Sequence, residues 1–213
     1  MNSVPHEIKD TSLRSCVSTM KGNPRYIPAL QYHFLTRLYD PLVRLVMPMA
    51  RIWNTLVQNS EIGDVDCVLD IGCGPGGLIM AVKDYRPFTI VVGCDVDRTI
   101  LQIARRKTTK ADVSVDLYQS HGNCLPHSDE SVDRILTSLV LHHLDADVKF
   151  DTLAEAHRVL VSGGTISVAD FKRSNPALEE ELASAGFGDV QEFGSVKTVF
   201  GVVGMWKGRR GRI

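Results

Sequence analysis

Apolar residues from position 67 onward fall into short continuous runs, separated by longer amphipathic segments. Runs rich in Val, Ile and Leu are typical of strands buried on both faces of a parallel sheet, whereas the longer segments have helical spacing. The predicted strands cover 68–71, 89–95, 113–118, 131–138 and 165–170, and the predicted helices cover 78–85, 100–107 and 148–160. This alternation predicts an α/β fold with helices on both faces of the sheet.

The C-terminal end of the chain breaks this alternation. A short helix predicted over 178–185 precedes two apolar runs, 190–193 and 196–206, which are separated only by Gly194 and Ser195. A parallel crossover needs about a dozen residues or more, so two strands this close have to be antiparallel. The sequence therefore predicts an antiparallel pair at one edge of the sheet, with its turn at Gly194 and Ser195.

The N-terminal region has a different character. Residues 1–25 are polar and predict a loosely ordered arm, whereas apolar residues at helical spacing predict two helices, one before the break at Asp40 and Pro41 and one over 42–57. The apolar stripe of the second helix has three interpretations, which are packing on the core, a lid over an apolar substrate, and contact with a membrane surface.

Composition limits the domain organisation and the partners. The chain has 213 residues, 44% of them hydrophobic, and a formal net charge of -1, which fits one globular unit and gives no overall field for capturing nucleic acid. We expect an arm and helical cap over 1–60 and a main domain over 61–213, together forming one structural unit. No run approaches the ~20 apolar residues of a membrane span, and the N-terminus carries no secretory signal.

The cysteines and histidines do not predict a metal site. The five cysteines are odd in number and include no Cys-x-x-Cys pair, so neither a disulfide framework nor a zinc site is expected. His142 and His143 are neighbours with no third ligand at metal spacing. This pattern favours a reducing, cytoplasmic setting without a bound metal.

The first predicted strand ends in a glycine-rich turn, Gly72-Cys73-Gly74-Pro75-Gly76-Gly77. Glycine permits positive φ and close approach of the backbone to a ligand, so this turn predicts a nucleotide-like ligand. Its spacing fits both the dinucleotide fingerprint Gly-x-Gly-x-x-Gly and the turn of S-adenosylmethionine-dependent methyltransferases. A dinucleotide fold needs a second mononucleotide half, and no tyrosine has the Tyr-x-x-x-Lys spacing of short-chain dehydrogenases, which disfavours the first interpretation.

Polar residues at further strand ends support the second interpretation. Asp70 ends the first strand and can accept hydrogen bonds from the amino group of a methionine moiety. Asp95 ends the second strand, where a carboxylate can accept from both ribose hydroxyls. Asn123 and Cys124 follow the third strand, where a polar side chain beside an apolar one suits the adenine edge.

Over about residues 39–204 the chain resembles the class I methyltransferases of the type 11 group, which includes ubiquinone/menaquinone-biosynthesis C-methyltransferases and many small-molecule O- and N-methyltransferases. The resemblance is carried by the segments 68–76, 93–95, 125–126, 138–144 and 158–164. It implies a Rossmann-like seven-stranded sheet of order 3-2-1-4-5-7-6, with strand 7 antiparallel, and S-adenosyl-L-methionine as cofactor. The cofactor-binding residues that it implies are Asp70, Gly72, Gly74, Asp95, Val96, Asn123, Cys124, Ser138 and Leu139.

Two features depart from the pattern of this group. The position of Asn123 is usually aspartate, so the contact with adenine lacks charge assistance. Many relatives insert a long substrate lid after the fifth strand, whereas this chain has little more than one helix between Asp170 and the terminal pair. We therefore expect the N-terminal helices or a partner subunit to cover the acceptor pocket, or the pocket to lie open.

Three residues are candidates for the chemistry of methyl transfer. Some small-molecule O-methyltransferases with a similar Leu-x-His segment use a histidine and a strand-five aspartate, which implies His143 as general base, oriented by Asp170. The alternative is that His143 caps or packs the following helix and that Asp170 accepts hydrogen bonds in a turn. Tyr39 is the other candidate, because its phenol could cap the site, but a core aromatic role fits it equally well.

The resulting hypothesis is transfer of a methyl group from S-adenosylmethionine to a small apolar or aromatic molecule, at an oxygen, carbon or nitrogen atom. Nucleic-acid substrates are not expected, because the chain lacks both the Asn/Asp-Pro-Pro-aromatic run and the Pro-Cys nucleophile of base methyltransferases. The alternative is a catalytically silent domain that binds the cofactor in a regulatory role. Contact with a membrane surface and formation of a homodimer are both compatible with the sequence.

Overall fold

A computed structural model describes residues 47–211 of the chain, and these residues form a seven-stranded sheet flanked by helices. The strands are β1 (Cys67–Ile71), β2 (Ile90–Asp95), β3 (Asp116–Gln119), β4 (Val132–Ser138), β5 (Leu160–Phe171), β6 (Phe187–Thr198) and β7 (Gly201–Arg210). The helices are α1 (Met49–Asn59), α2 (Gly77–Tyr85), α3 (Arg98–Lys110), a 3₁₀ turn (Leu141–His143), α4 (Ala146–Val159) and α5 (Leu178–Ser184).

The strand order is β3-β2-β1-β4-β5-β7-β6, which confirms the expected topology. The pairs β1–β2, β2–β3, β1–β4 and β4–β5 are parallel, whereas β7 is antiparallel to both β5 and β6. The sheet is therefore mixed, and the carboxyl ends of its parallel strands meet at one edge, here called the carboxyl edge.

Two apolar cores lie on opposite faces of this sheet. On one face, Val68, Leu136 and Met205 pack against α1, α2 and α3. On the other face, Leu69, Ile135 and Ile166 pack against α4 and α5. Since successive side chains of a strand point to opposite faces, the adjacent apolar residues of β1 and of β4 contribute to both cores.

Helix α1 is the described part of the predicted N-terminal cap, and it packs along a face of the sheet. Ile52, Leu56 and Val57 are buried in the core there. A Cβ atom built on Gly77, at the start of α2, would lie 2.0 Å from the Trp53 ring, so the two helices are in close contact at the carboxyl edge. The arm and the first predicted helix lie outside the described residues.

The predicted turn of the C-terminal pair is wrong. The two strands are joined at Val199 and Phe200, and Gly194 and Ser195 lie within β6. Register shifts between Gly188 and Gln191 and between Glu192 and Gly194 let β6 continue past its glycines as a bulged strand. The strand pair is antiparallel, as expected.

The start of the fifth strand is also earlier than predicted. β5 begins at Leu160, directly after α4 ends, so Gly163 and Gly164 lie within the strand instead of before it. A Cβ atom on Gly164 would lie 2.9 Å from the carbonyl oxygens of Asp133 and Val161. Glycine is therefore needed here for close approach of two backbones rather than for a connecting turn.

Among the residues that the structure describes, no helix is long and apolar enough to cross a bilayer. The same residues contain no group of three or more His, Cys, Asp or Glu side chains that could hold a metal ion. Cys67, Cys73 and Cys94 are free thiols.

The contact of Trp53 with Gly77 gives a test of how α1 is fixed. Gly77→Ala should destabilise the protein by about 1–3 kcal/mol through overpacking, and lower its Tm by roughly 2–10 °C. The measurement is thermal unfolding followed by circular dichroism. Gly188→Ala is the matched control, because a Cβ there meets only the Arg209 carbonyl, at 3.9 Å. In a Trp53→Leu background, Gly77→Ala should destabilise the protein less, because the ring that the new Cβ meets is gone. An unchanged loss of stability would contradict the packing of Trp53 on Gly77.

Candidate active site

The sequence-predicted residues within the described chain gather at the carboxyl edge, where β1, β2, β4 and β5 end. The glycine turn after β1 is fixed by β2, since the N–H groups of Gly72 and Cys73 both donate to the Cys94 carbonyl, each at 2.9 Å. Gly72 has φ +71°, and a Cβ on it would lie 2.4 Å from Val140 Cγ2. Gly74 has φ +51°, and a Cβ on it would meet nothing within 4 Å. The turn therefore packs against Val140 at Gly72 and leaves free space beside Gly74.

Asp95 ties this turn to the end of β2. Its Oδ2 accepts the Gly74 N–H at 2.9 Å, and its Oδ1 accepts the Asp97 N–H at 2.9 Å. Burial raises the pKa of Asp95, and these backbone hydrogen bonds oppose that shift. Each carboxylate oxygen keeps a further lone pair with which it can accept from a ligand hydroxyl.

Asp70 is the most unusual group of the site. The residue is 1% exposed, and its Oδ2 has no hydrogen-bond partner. Burial, with the nearby Asp95 carboxylate adding to it, raises the pKa of Asp70 to about 8. Burying a carboxylate without a partner costs free energy unless a cation or a hydrogen-bond donor pairs with it. The Asp70 Oδ2 atom therefore marks a place for a cationic group or a hydrogen-bond donor.

Beside Thr137 Oγ1 in β4, two polar atoms of the predicted cofactor residues are also buried without a partner. They are Asn123 Oδ1, after β3, and Ser138 Oγ, at the end of β4. Leu139 follows with φ +59°, a strained conformation for leucine, and its N–H donates to the Ala169 carbonyl at 2.8 Å. Strain of this kind is typical of functional sites, where the surrounding structure holds a residue in place.

Asp170 orients His142 and not His143, which corrects the expected pairing. The Asp170 side chain is fully buried, and it accepts the Nδ1–H of His142 at 2.6 Å, the His142 N–H at 3.2 Å and the Phe171 N–H at 2.7 Å. The carboxylate can only accept, so His142 carries its proton on Nδ1 and leaves Nε2 as an acceptor. The sequence contained both histidines, but their spacing alone did not identify the one that Asp170 contacts.

His143 lies beside this pair on the more exposed side. Its ring contacts the His142 ring in a tilted arrangement, with centroids 3.8 Å apart and an interplanar angle of 42°. Partial burial, with the neighbouring His142 adding to it, lowers the pKa of His143, and Asp170 opposes the shift. Neither histidine begins α4, so the alternative of a helix cap does not hold for His143. The catalytic role of His143 stays a prediction, and Tyr39 lies outside the described residues.

The remaining predicted residues lie next to this edge. The Val96 carbonyl accepts from Gln119 Nε2 at 2.8 Å, and the Cys124 N–H donates to the His121 carbonyl at 3.1 Å. Phe171 was missed by the sequence analysis, and its ring contacts the His142 ring edge-on, with centroids 5.3 Å apart. Its place directly after Asp170 was the available signal.

The segment that contains this site is similar to known proteins. Residues 68–164 match a family model described as "Methyltransferase domain". The matched segment, a little under half of the chain, is similar to S-adenosylmethionine-dependent methyltransferase domains. This segment spans β1 to the start of β5, and therefore includes the glycine turn, Asp70, Asp95 and the ends of β3 and β4.

Two curated relatives and one solved structure illustrate the similarity of the methyltransferase domain. The chain is 32% identical to a demethylmenaquinone methyltransferase of Thermus thermophilus over 49% of this chain and 46% of the relative. It is 35% identical to a ubiquinone biosynthesis O-methyltransferase of Bartonella quintana, over 50% and 42%. A SAM-dependent methyltransferase structure from Aquifex aeolicus superposes with a TM-score of 0.63 at 19% identity, covering 80% of this chain and 96% of that one.

The chain spans a little under half the length of these two curated relatives. The residues present nevertheless fit the cofactor of the methyltransferase domain. S-adenosylmethionine carries an ammonium group, two ribose hydroxyls and an adenine amino group, all of which are hydrogen-bond donors. The buried oxygens of Asp70 and Asn123 are acceptors without partners, and Asp95 has lone pairs to spare.

The raised pKa of Asp70 predicts a specific pH dependence of stability. Its folded-state pKa of about 8 lies above the ordinary value of 3.8, so the folded protein binds this proton more tightly than the unfolded chain does. Stability from this group is complete below about pH 4 and is lost as the pH rises toward 8. Asp70→Asn has no carboxyl group to ionise, so it removes this loss of stability. The fall in Tm between pH 5 and pH 8, measured without cofactor, should therefore be smaller in the variant than in the wild type.

Thermal unfolding at several pH values checks this prediction. Asp151→Asn, on the exposed side of α4, is the control and should keep the wild-type pH dependence. Equal slopes of Tm against pH in the wild type and Asp70→Asn would show that Asp70 is ionised at neutral pH without its ligand.

Proposed function

We propose that this chain transfers a methyl group from S-adenosylmethionine to a small apolar or aromatic molecule. The observation that carries the proposal is the buried, unpartnered Asp70 oxygen beside the open glycine turn of a methyltransferase domain. Within the described residues this oxygen accepts no hydrogen bond, whereas an ammonium group would donate one to it.

In this proposal each end of the cofactor has its own protein groups. Asp70 accepts from the ammonium group, Asp95 accepts from the ribose hydroxyls, and Asn123 accepts from the adenine amino group. Gly72, Gly74, Val96 and Cys124 supply backbone or contact surface, and Ser138 and Leu139 line the end of β4. Bound S-adenosylmethionine supplies an activated methyl group, so the chain has to orient the acceptor, exclude water and remove a proton where the acceptor carries one.

The geometry favours His142 over His143 as the proton acceptor. The 2.6 Å hydrogen bond to Asp170 fixes the ring and its tautomer, and a neighbouring carboxylate stabilises the imidazolium that forms when Nε2 takes a proton. Asp170 thus acts as a positioning residue. The same pair suits a phenol or another acidic hydroxyl better than an amine, because an amine loses its proton readily after methylation.

The class of acceptor is proposed from the relatives together with the residues beside His142. Two relatives are named for methyl transfer in menaquinone and ubiquinone biosynthesis. The Phe171 ring, edge-on to His142, gives an apolar contact next to the proposed base. We infer an aromatic acceptor of quinol or phenol type, methylated at oxygen or at a ring carbon.

A second function is a domain that binds the cofactor without transferring its methyl group. Asn123 favours it, because an amide gives the adenine amino group no charge assistance. The short connection after β5 also favours it, since α5 is the one helix between Phe171 and Phe187 and leaves little chain to cover an acceptor. In this case the residues at Asp70 and Asp95 keep their roles, and the His142–Asp170 pair is structural.

Calorimetric titration with S-adenosylmethionine tests the binding step. We expect micromolar affinity, and about tenfold or greater weakening in Asp70→Asn, because one charge-assisted hydrogen bond is lost. Asp151→Asn is again the control. The absence of binding at millimolar S-adenosylmethionine would reject both functions, and binding of NAD instead would restore the dinucleotide hypothesis.

Product analysis with demethylated quinols and simple phenols tests the transfer step. In His142→Ala we expect turnover to fall by about 10²–10⁴-fold with unchanged cofactor affinity, as for loss of a general base. His143→Ala is the matched comparison and should lose far less. Full activity of His142→Ala with loss in His143→Ala would return the role to His143, and cofactor binding without any product would favour the silent domain.

A further inference from the structure

Two large apolar side chains lie outside both cores, at the turn between β6 and β7. Val199 and Phe200 are 68% and 54% exposed, and they form the two-residue turn between Thr198 and Gly201, here called the hairpin tip. Two-residue hairpin turns favour Asn, Asp and Gly, which suit tight turns and remain in contact with water. Adjacent exposed apolar side chains are not required by the geometry of such a turn, so a contact outside the described chain explains them better.

The hairpin tip is held in a defined conformation. The Thr198 hydroxyl donates to the Gly201 carbonyl at 2.7 Å and accepts the Phe200 N–H at 3.1 Å. Gly201 has φ +133°, which favours glycine, and the Lys172 N–H donates to the Val202 carbonyl at 3.0 Å. These hydrogen bonds fix the base of the turn, so its two apolar side chains are presented to the outside in one arrangement.

The hairpin tip lies at the carboxyl edge, next to the candidate active site. Phe171, at the end of β5, pairs with Val203 near the start of β7. A Cβ on Gly201 would lie 3.9 Å from the Phe171 ring, and that ring contacts His142. The hairpin tip therefore lies next to Phe171, at the same edge of the sheet as the His142–Asp170 pair.

Cationic side chains flank the hairpin tip. Lys197 precedes it on β6 and Arg173 follows β5, and both are exposed. Within residues 47–211 neither forms an ion pair, whereas Lys172 pairs with Glu192 at 2.6 Å. Exposed apolar side chains bordered by free cations are complementary to an anionic lipid surface, whose acyl region takes the apolar groups and whose headgroups attract the cations.

We propose that the hairpin tip docks this protein onto an anionic lipid bilayer. Val199 and Phe200 enter the boundary between headgroups and acyl chains, and Lys197 and Arg173 lie against the headgroups. Docking in this orientation sets the carboxyl edge against the bilayer, where a lipid-dissolved acceptor can reach His142. This consequence for the acceptor rests on the proposed function, whereas the docking itself does not.

Co-sedimentation of the full chain with vesicles tests the docking. Vesicles of equal parts phosphatidylcholine and phosphatidylglycerol should bind the wild type, and the double substitution Val199→Ser with Phe200→Ser should weaken binding by about tenfold or more. The matched control is Val65→Ser with Phe88→Ser. Those two residues are each 82% exposed but lie before the amino ends of β1 and β2, at the opposite edge, so the control should bind as the wild type does.

The charged residues give a second, independent measurement. Lys197→Gln with Arg173→Gln should lower the affinity for the anionic vesicles by about an order of magnitude, and should reduce its dependence on salt. Binding to pure phosphatidylcholine vesicles should be weak and insensitive to this pair. Equal loss in the control pair Val65 and Phe88 would mean nonspecific adsorption, and would overturn the proposal.

A tryptophan at the hairpin tip reports insertion directly. Phe200→Trp should show a blue-shifted emission with anionic vesicles, relative to the wild-type signal from Trp53 and Trp206. The absence of a shift would contradict insertion. If the serine variants instead change the oligomeric state and leave vesicle binding intact, the hairpin tip is a contact between copies and the proposal fails. Vesicle binding does not require cofactor or turnover, so its loss and the loss of methyl transfer are separate results.

Discussion

Three hydrogen bonds, donated by backbone N–H groups of the first loop to residues of β2, hold the site in shape. The N–H groups of Gly72 and Cys73 share the Cys94 carbonyl, and the Gly74 N–H binds the Asp95 carboxylate. Because these bonds are made to the neighbouring strand, the turn keeps its form without a ligand. Two features of the cofactor site follow from this arrangement. The space beside Gly74 is free of protein atoms, and one oxygen of the Asp70 carboxylate has no hydrogen-bond partner.

The interior of the sheet could be predicted from the sequence because burial on both faces leaves one solution. The apolar runs of β1 and β2 fit a central parallel strand and little else, and their carboxyl ends locate Asp70 and Asp95 directly. The sequences of the edge strands predicted less of their structure. In β6 the extra residues at the bulges are accommodated by pairing with β7, and the sequence of β6 alone does not say that pairing continues past Gly194.

Asp170 was expected to contact His143, whereas its hydrogen-bond partner is the neighbouring His142. His142 and His143 lie in a 3₁₀ turn, where successive side chains are rotated by about 120°, so one of them meets Asp170 and the next does not. The left-handed conformation of Leu139 sets the direction in which this turn begins. Nothing in the sequence signals a left-handed leucine, because that conformation is imposed by the pairing of its N–H with Ala169.

The hairpin of β6 and β7 joins the sheet through β5 alone, and this has a consequence for how such proteins diverge. The family match ends at residue 164, before Asp170 and the hairpin. Strands β1 to β4 with the cofactor residues therefore form a unit whose strand pairing does not involve the hairpin, so the hairpin can change in length or polarity without altering that pairing. A lineage could exchange one acceptor, or one cellular surface, for another by altering a single attached ribbon.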